Sequence, residues 1–130
     1  MPRLGAHMSI AGGVDQAVLR GKSIGCETIQ IFTKSARQWR AKPLSAGEVA
    51  RFKRTREETG IAPVFAHTSY LINLAAAGEE LWQKSVAAFI EEVERCAVLD
   101  LPYLVVHPGT NAAAAEGLSR IGRALDEILR

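Results

Sequence analysis

The chain has 130 residues, of which 48% are hydrophobic and 23% charged, and a formal net charge of +2. That length suits one domain with a real core, and the balance excludes a disordered chain. No apolar run approaches the ~20 residues of a membrane-spanning helix, and "MPRLGAHMS" lacks the apolar stretch of a secretory signal. Cys26 and Cys96 lie far apart with no CxxC pair, so they read as buried, reduced thiols. A cytoplasmic protein is expected.

In chain order, "LGA" reads as a first strand, and Val14, Ala17, Val18, Gly21 and Ile24 fall on one face of a first helix. "TIQIF" is a second strand; Ser45 and Glu48, in capping-box spacing, open a second helix marked by Val49 and Phe52. "PVFA" precedes the clearest helix, with a stripe of Trp82, Val86, Phe89, Ile90, Val93 and Ala97. "YLVV" precedes the last, marked by Leu118, Ile121, Leu125 and Ile128. Three of the strand runs are continuously apolar, the pattern of parallel strands covered on both faces. The order predicts an α/β fold of four βα units, either an open doubly wound sheet or part of an eight-stranded barrel.

Both architectures put functional groups at the carboxyl ends of the strands. All three histidines fall there: His7 after strand one, His67 after strand three and His107 after strand four. Neighbouring parallel strands lie about 4.8 Å apart, so His67 and His107 could share a zinc ion. A catalytic zinc usually takes three protein ligands and a water, and none of the 14 acidic residues ends a strand. This stretch therefore supplies part of a metal site. In "HPGT", Pro108 fixes the backbone and Gly109 permits close approach of a ligand, so His7 and Gly109 are possible substrate contacts.

Charge is unevenly spread. "TKSARQWRAK", residues 33–42, holds Lys34, Arg37, Arg40 and Lys42 with no acidic residue, while five glutamates fall within residues 79–94. The basic stretch follows strand two on the histidine rim, and its cations, Gln38 and Trp39 suit a nucleic-acid backbone. "HTSYLINL", residues 67–74, puts Tyr70, Leu71 and Ile72 in a row after a strand. Tyr70 and Leu71 are candidates for an apolar wedge between DNA bases, and Ile72 for packing under the loop.

"GAHMSIAGG" (5–13), "IFTKSARQWR" (31–40), "HTSYLINLA" (67–75) and "VVHPGT" (105–110) together resemble the motifs of the endonuclease IV family, the zinc-dependent apurinic/apyrimidinic endonucleases of base-excision repair. The resemblance covers nearly all of this chain and about the first half of the family's. It implies a TIM barrel, here the (βα)4 half as a single domain over residues 1–130, with a three-zinc cluster at the carboxyl rim of the complete barrel. His67 and His107 would be ligands of one Zn2+. Arg37, Tyr70 and Leu71 would enter double-stranded DNA at the abasic site, beside further contacts from Lys34 and Gln38. In the family a zinc-bound hydroxide hydrolyses the phosphodiester 5′ to the abasic sugar. The remaining ligands come from the second half of the family's barrel. The chain is thus expected to be inactive alone, with two unpaired sheet edges and an apolar face that await a C-terminal half-barrel or self-association. The alternatives are a non-catalytic DNA-binding or self-associating half-barrel and, on fold alone, a metal-dependent sugar isomerase or epimerase.

Overall fold

Each short apolar run forms a strand and each 3.6-residue stripe a helix. The computed structural model describes residues 1–130: β1 (Gly5–His7), α1 (Val14–Ser23), β2 (Thr28–Ile31), α2 (Ala46–Thr59), β3 (Val64–His67), α3 (Glu79–Val98), β4 (Leu104–Val105) and α4 (Ala114–Ile128). The strands make one parallel sheet in the order β1-β2-β3-β4, which confirms the four βα units. No helix is long and apolar enough to cross a membrane.

Register explains which residues are buried. Ala6, Ile29 and Val64 form one row across the sheet, and Ile31, Ala66 and Leu104 the next. Side chains alternate along a strand, so both rows point to the same face. There Ile29, Val64, Ile31 and Ala66 join Val14, Ala17 and Val18 of α1, Phe52 of α2 and Cys96 of α3 in the larger core cluster, with Leu104 packed against it, while Ala6 on the edge strand stays exposed. A second cluster gathers Ile72 and Leu74 with Trp82, Val86 and Phe89 of α3 and Ala124 of α4. Fully burying one such large side chain contributes about 1.5–3 kcal/mol. At α2 the expected capping box is present: Ser45 Oγ accepts the Glu48 N–H at 3.1 Å and Glu48 Oε2 accepts the Ser45 N–H at 2.8 Å.

The strands are covered on one face, not two. His7, Gln30 and Phe65 share a row on the opposite face, beside Thr28, His67 and Val105, and this surface is mixed in polarity where an apolar face was expected. The helical stripes also shift. Ile24 is 66% exposed because α1 ends at Ser23. In α3 the buried line passes through Glu92 and Cys96, leaving Val93 and Ala97 exposed. In α4, Gly117 and Ala124 are buried while Leu118 and Leu125 face out. Both cysteines are free, Cys96 buried and Cys26 only half-buried; burial pushes the Cys96 thiol up to about 11.

Candidate functional site

The carboxyl ends of the strands bring the three imidazoles onto one rim. His67 stands opposite Val105 in the sheet register, and two residues beyond Val105, on the same side of the strand line, comes His107. The His67 and His107 rings lie 4.9 Å apart, centroid to centroid. His67 is buried and His107 exposed. Nδ1 of His67 is 2.7 Å from the Thr68 carbonyl oxygen, an acceptor only, so Nδ1 carries the proton and donates it. In the neutral ring this leaves the lone pair on Nε2, the arrangement that orients zinc-ligating histidines.

His7 is set differently. Its Nδ1 is 2.8 Å from the Gln30 side-chain nitrogen, which donates to it and leaves the ring proton on Nε2. Burial, and then the charge of His67, holds the His7 imidazole below its ordinary pKa, favouring the neutral ring. Phe32 connects the histidines: its ring lies 4.5 Å from His7, 5.7 Å from His67 and 5.3 Å from Tyr70. Phe32 was not singled out in the sequence, although its place two residues after Gln30 puts it on the histidine side of β2.

The imidazole pair fits one side of a zinc site: two rings that can offer nitrogen to a metal are adjacent, and one is oriented by a carbonyl. Nowhere does a group of three or more His, Cys, Asp or Glu side chains come together in a metal-holding arrangement. Two imidazoles fall short of the three protein ligands usual at catalytic zinc.

The loop "HTSYLINL" is held from below. Ser69 N–H donates to Glu92 Oε2 at 2.9 Å and Asn73 N–H to Ser85 Oγ at 3.0 Å, both acceptors on α3. Ile72 is 5% exposed, as its packing role requires, and Leu74 is 1% exposed. Tyr70 is the residue left outside, 63% exposed, with Leu71 partly covered beside it. Tyr70 N–H donates to the Ala36 carbonyl at 3.0 Å, so the exposed Arg37, next in sequence, is carried close to the tyrosine. Gln38 is exposed on the same loop.

Two expected contacts have other tasks. Lys34 is 5% exposed, and its ammonium donates to the Trp39 carbonyl at 2.6 Å; it shapes the basic loop from inside rather than offering charge to a ligand. Trp39 packs down against the second core cluster, under the Lys84 ammonium 4.7 Å from its ring. Gly109 has φ +113°, and a Cβ there would stand 2.0 Å from Asn73 Oδ1. The glycine is required by the turn and by Asn73, which accounts for it without a ligand. Asn73 then ties the two rim loops together: Oδ1 accepts the Thr110 N–H at 3.0 Å, and Nδ2 donates to the Thr110 carbonyl at 3.1 Å. Neither Asn73 nor Glu92 was legible as part of the site, because each acts through a partner distant in sequence.

Parallel βα units with imidazoles on the carboxyl rim define a TIM-barrel scaffold with a metal-competent edge. The chain belongs to the xylose isomerase-like TIM barrel family, whose sequence profile matches residues 18–130. The resemblance of its motifs to endonuclease IV extends to the whole chain. A Chloroflexus aurantiacus protein named "Probable endonuclease 4" is 53% identical over 131 residues, covering 99% of this chain and 46% of the relative. Its namesake from Geobacter sulfurreducens is 46% identical over 128 residues, covering 97% of this chain and 43% of the relative. The crystal structure of endonuclease IV from Thermus thermophilus superposes with a TM-score of 0.86 at 43% identity, over 99% of this chain and 48% of that one. A D-psicose 3-epimerase superposes with a TM-score of 0.68 at 14% identity, over 96% of this chain and 47% of that one; this likeness shows the fold alone. The chain spans about half the length of the curated relatives it matches.

Proposed function

We propose that this chain is the N-terminal half-barrel of an endonuclease IV-type DNA repair enzyme, which hydrolyses the phosphodiester 5′ to abasic sites in double-stranded DNA in the cytoplasm. The observation that carries the reading is the juxtaposition on one rim of the His67–His107 pair and the exposed Tyr70 beside the Arg37 loop. His67 and His107 would hold one zinc through imidazole nitrogens. A bound zinc supplies Lewis acidity, polarising a phosphoryl oxygen and making water a better nucleophile at neutral pH.

The chain's own residues bind and orient. Arg37 and Gln38 meet the phosphate backbone. Tyr70, with Leu71 behind it, enters the gap left by a missing base, and the cost of unstacking is recovered by contact with its ring. His7, held neutral with its proton on Nε2, faces the same rim as a hydrogen-bond donor to the extruded sugar–phosphate. The remaining metal ligands would come from a complementary half-barrel or a second copy, so the chain alone binds rather than cuts.

Calorimetric titration with zinc tests the metal half of this reading. Wild-type protein takes up zinc, and the His67→Ala/His107→Ala variant loses that uptake while staying folded. Equal uptake by both would remove the imidazole pair from the account. Two other readings make different predictions. A sugar epimerase, permitted by the fold, turns over a free ketose with divalent metal. A purely DNA-binding half-barrel binds abasic duplex with zinc-independent affinity.

A further inference from the structure

One buried charged side chain serves neither zinc nor DNA directly. Glu92 sits within α3 and is 1% exposed. Burial pushes its carboxyl up, against the opposing pull of the Ser69 hydrogen bond and the charges of Lys34 and Arg95. One oxygen takes the Ser69 N–H at 2.9 Å, and Oε1 has no hydrogen-bond partner. Burying a carboxylate is costly unless it is well partnered. A glutamate on the buried line of α3 therefore calls for a task that an apolar residue could not perform.

The hydrogen bonds above it show the task. Ser69 Oγ donates to the Ala36 carbonyl at 3.0 Å, and Tyr70 N–H donates to the same oxygen at 3.0 Å. A continuous line thus runs from α3 through Ser69 to Ala36, joining the loop after β3 to the loop after β2. Tyr70 and Arg37 are the outward residues next to its two upper members. With its root removed, Ser69 keeps its bond to Ala36 but loses its tie to α3, and the nearest remaining anchor of the loop on that helix is Asn73 N–H on Ser85 Oγ, four residues further on.

We propose that Glu92 is a positioning residue that locks the Ser69–Tyr70 loop to the Ala36–Arg37 loop, and so fixes the spacing at which tyrosine and arginine meet a distorted duplex. The proposal rests on the DNA reading above and adds to it a residue remote from the nucleic acid. Glutamine at this position keeps an acceptor oxygen for the Ser69 N–H. Leucine keeps the volume and leaves that N–H buried without a partner.

Backbone amide exchange, followed by NMR in the DNA-free chain, tests the lock. In Glu92→Leu the Ser69 and Tyr70 amides exchange about tenfold faster or more, while core amides such as Ile29 keep their protection. Glu92→Gln restores most of the protection. In the same series, preference for an abasic over an intact duplex falls about tenfold in Glu92→Leu and recovers in Glu92→Gln. Unchanged Ser69 and Tyr70 exchange overturns the proposal, as does acceleration spread evenly through the core. Should Glu92→Leu fail to fold, Ser69→Ala removes the Oγ bond to Ala36 without touching the helix and leaves Tyr70 N–H as the remaining tie. Faster Tyr70 exchange in that variant supports the lock, and unchanged exchange overturns it. Wild-type protein with no abasic preference would sink the DNA reading, while the exchange rates still decide the coupling of the loops.

Discussion

Gly109→Ala probes how the loop after β4 sets the place of His107. The new Cβ would stand 2.0 Å from Asn73 Oδ1 and 3.1 Å from the Ala75 nitrogen, at φ +113°. Ordinary carbon–heteroatom contact begins well over an ångström beyond the first of these distances, so Asn73 must turn away. Turning breaks the bonds its Oδ1 accepts from the Thr110 N–H at 3.0 Å and the Ala75 N–H at 3.1 Å. Two hydrogen bonds at ~0.5–1.5 kcal/mol each, plus ~1–3 kcal/mol of backbone strain, give a loss of ~2–6 kcal/mol. That is a large share of a small domain's stability. Urea unfolding of the wild type, Gly109→Ala, Asn73→Ala and the double variant measures it. Asn73→Ala alone gives up these two bonds together with the Nδ2 bond to the Thr110 carbonyl, so adding Gly109→Ala then costs only the strain, and the two changes couple through the shared Oδ1 bonds by ~1–3 kcal/mol. Zinc affinity drops ~10-fold or more in Gly109→Ala, because His107 lies two residues away on the displaced loop. Strictly additive energies, or a Gly109→Ala within about 0.5 kcal/mol of wild type, would refute this account of the turn.

Tyr70→Ala separates binding from stability: with the ring 63% exposed, unfolding energy stays within about 0.5 kcal/mol of wild type. Abasic-duplex affinity in the same variant falls by ~1–3 kcal/mol when followed by fluorescence anisotropy. The raised Glu92 pKa has a definite sign. A carboxyl whose folded pKa lies above its unfolded value contributes stability that is full below the unfolded pKa and lost as pH rises through the folded one. Urea midpoints taken from below the ordinary carboxylate pKa towards neutrality should therefore fall in wild type relative to Glu92→Gln, which lacks that titration. Ser45→Ala removes half the capping box of α2 and costs ~0.5–2 kcal/mol in the same unfolding assay.

What the sequence revealed follows the range of the interactions involved. The capping box of α2 and the four βα units depend on neighbours in the chain, and both were legible. The histidine rim also followed from the alternation of strand and helix, since that alternation alone decides where strands end. Helical periodicity announces an apolar face without saying how much of it a neighbour covers. Hence Leu118 and Leu125 are exposed beside the buried Gly117 and Ala124, and the α3 stripe turns from Val93 to Glu92. A lysine in a basic loop looks like exposed charge until the fold shows its ammonium on the Trp39 carbonyl. Glu92 and Asn73 were hidden for the same reason. Their acceptor and donor atoms matter through Ser69 and Thr110, which lie 23 and 37 residues away.

The most direct test of the central claim is the affinity of the folded, zinc-supplied chain for a duplex carrying one abasic site, set against the same duplex intact, over a range of salt. The account predicts tighter binding to the abasic duplex, weakened by salt as phosphate contacts are lost, with the preference abolished by Arg37→Ala/Tyr70→Ala. Equal affinity for the two duplexes, or a preference that survives the double substitution, would contradict it.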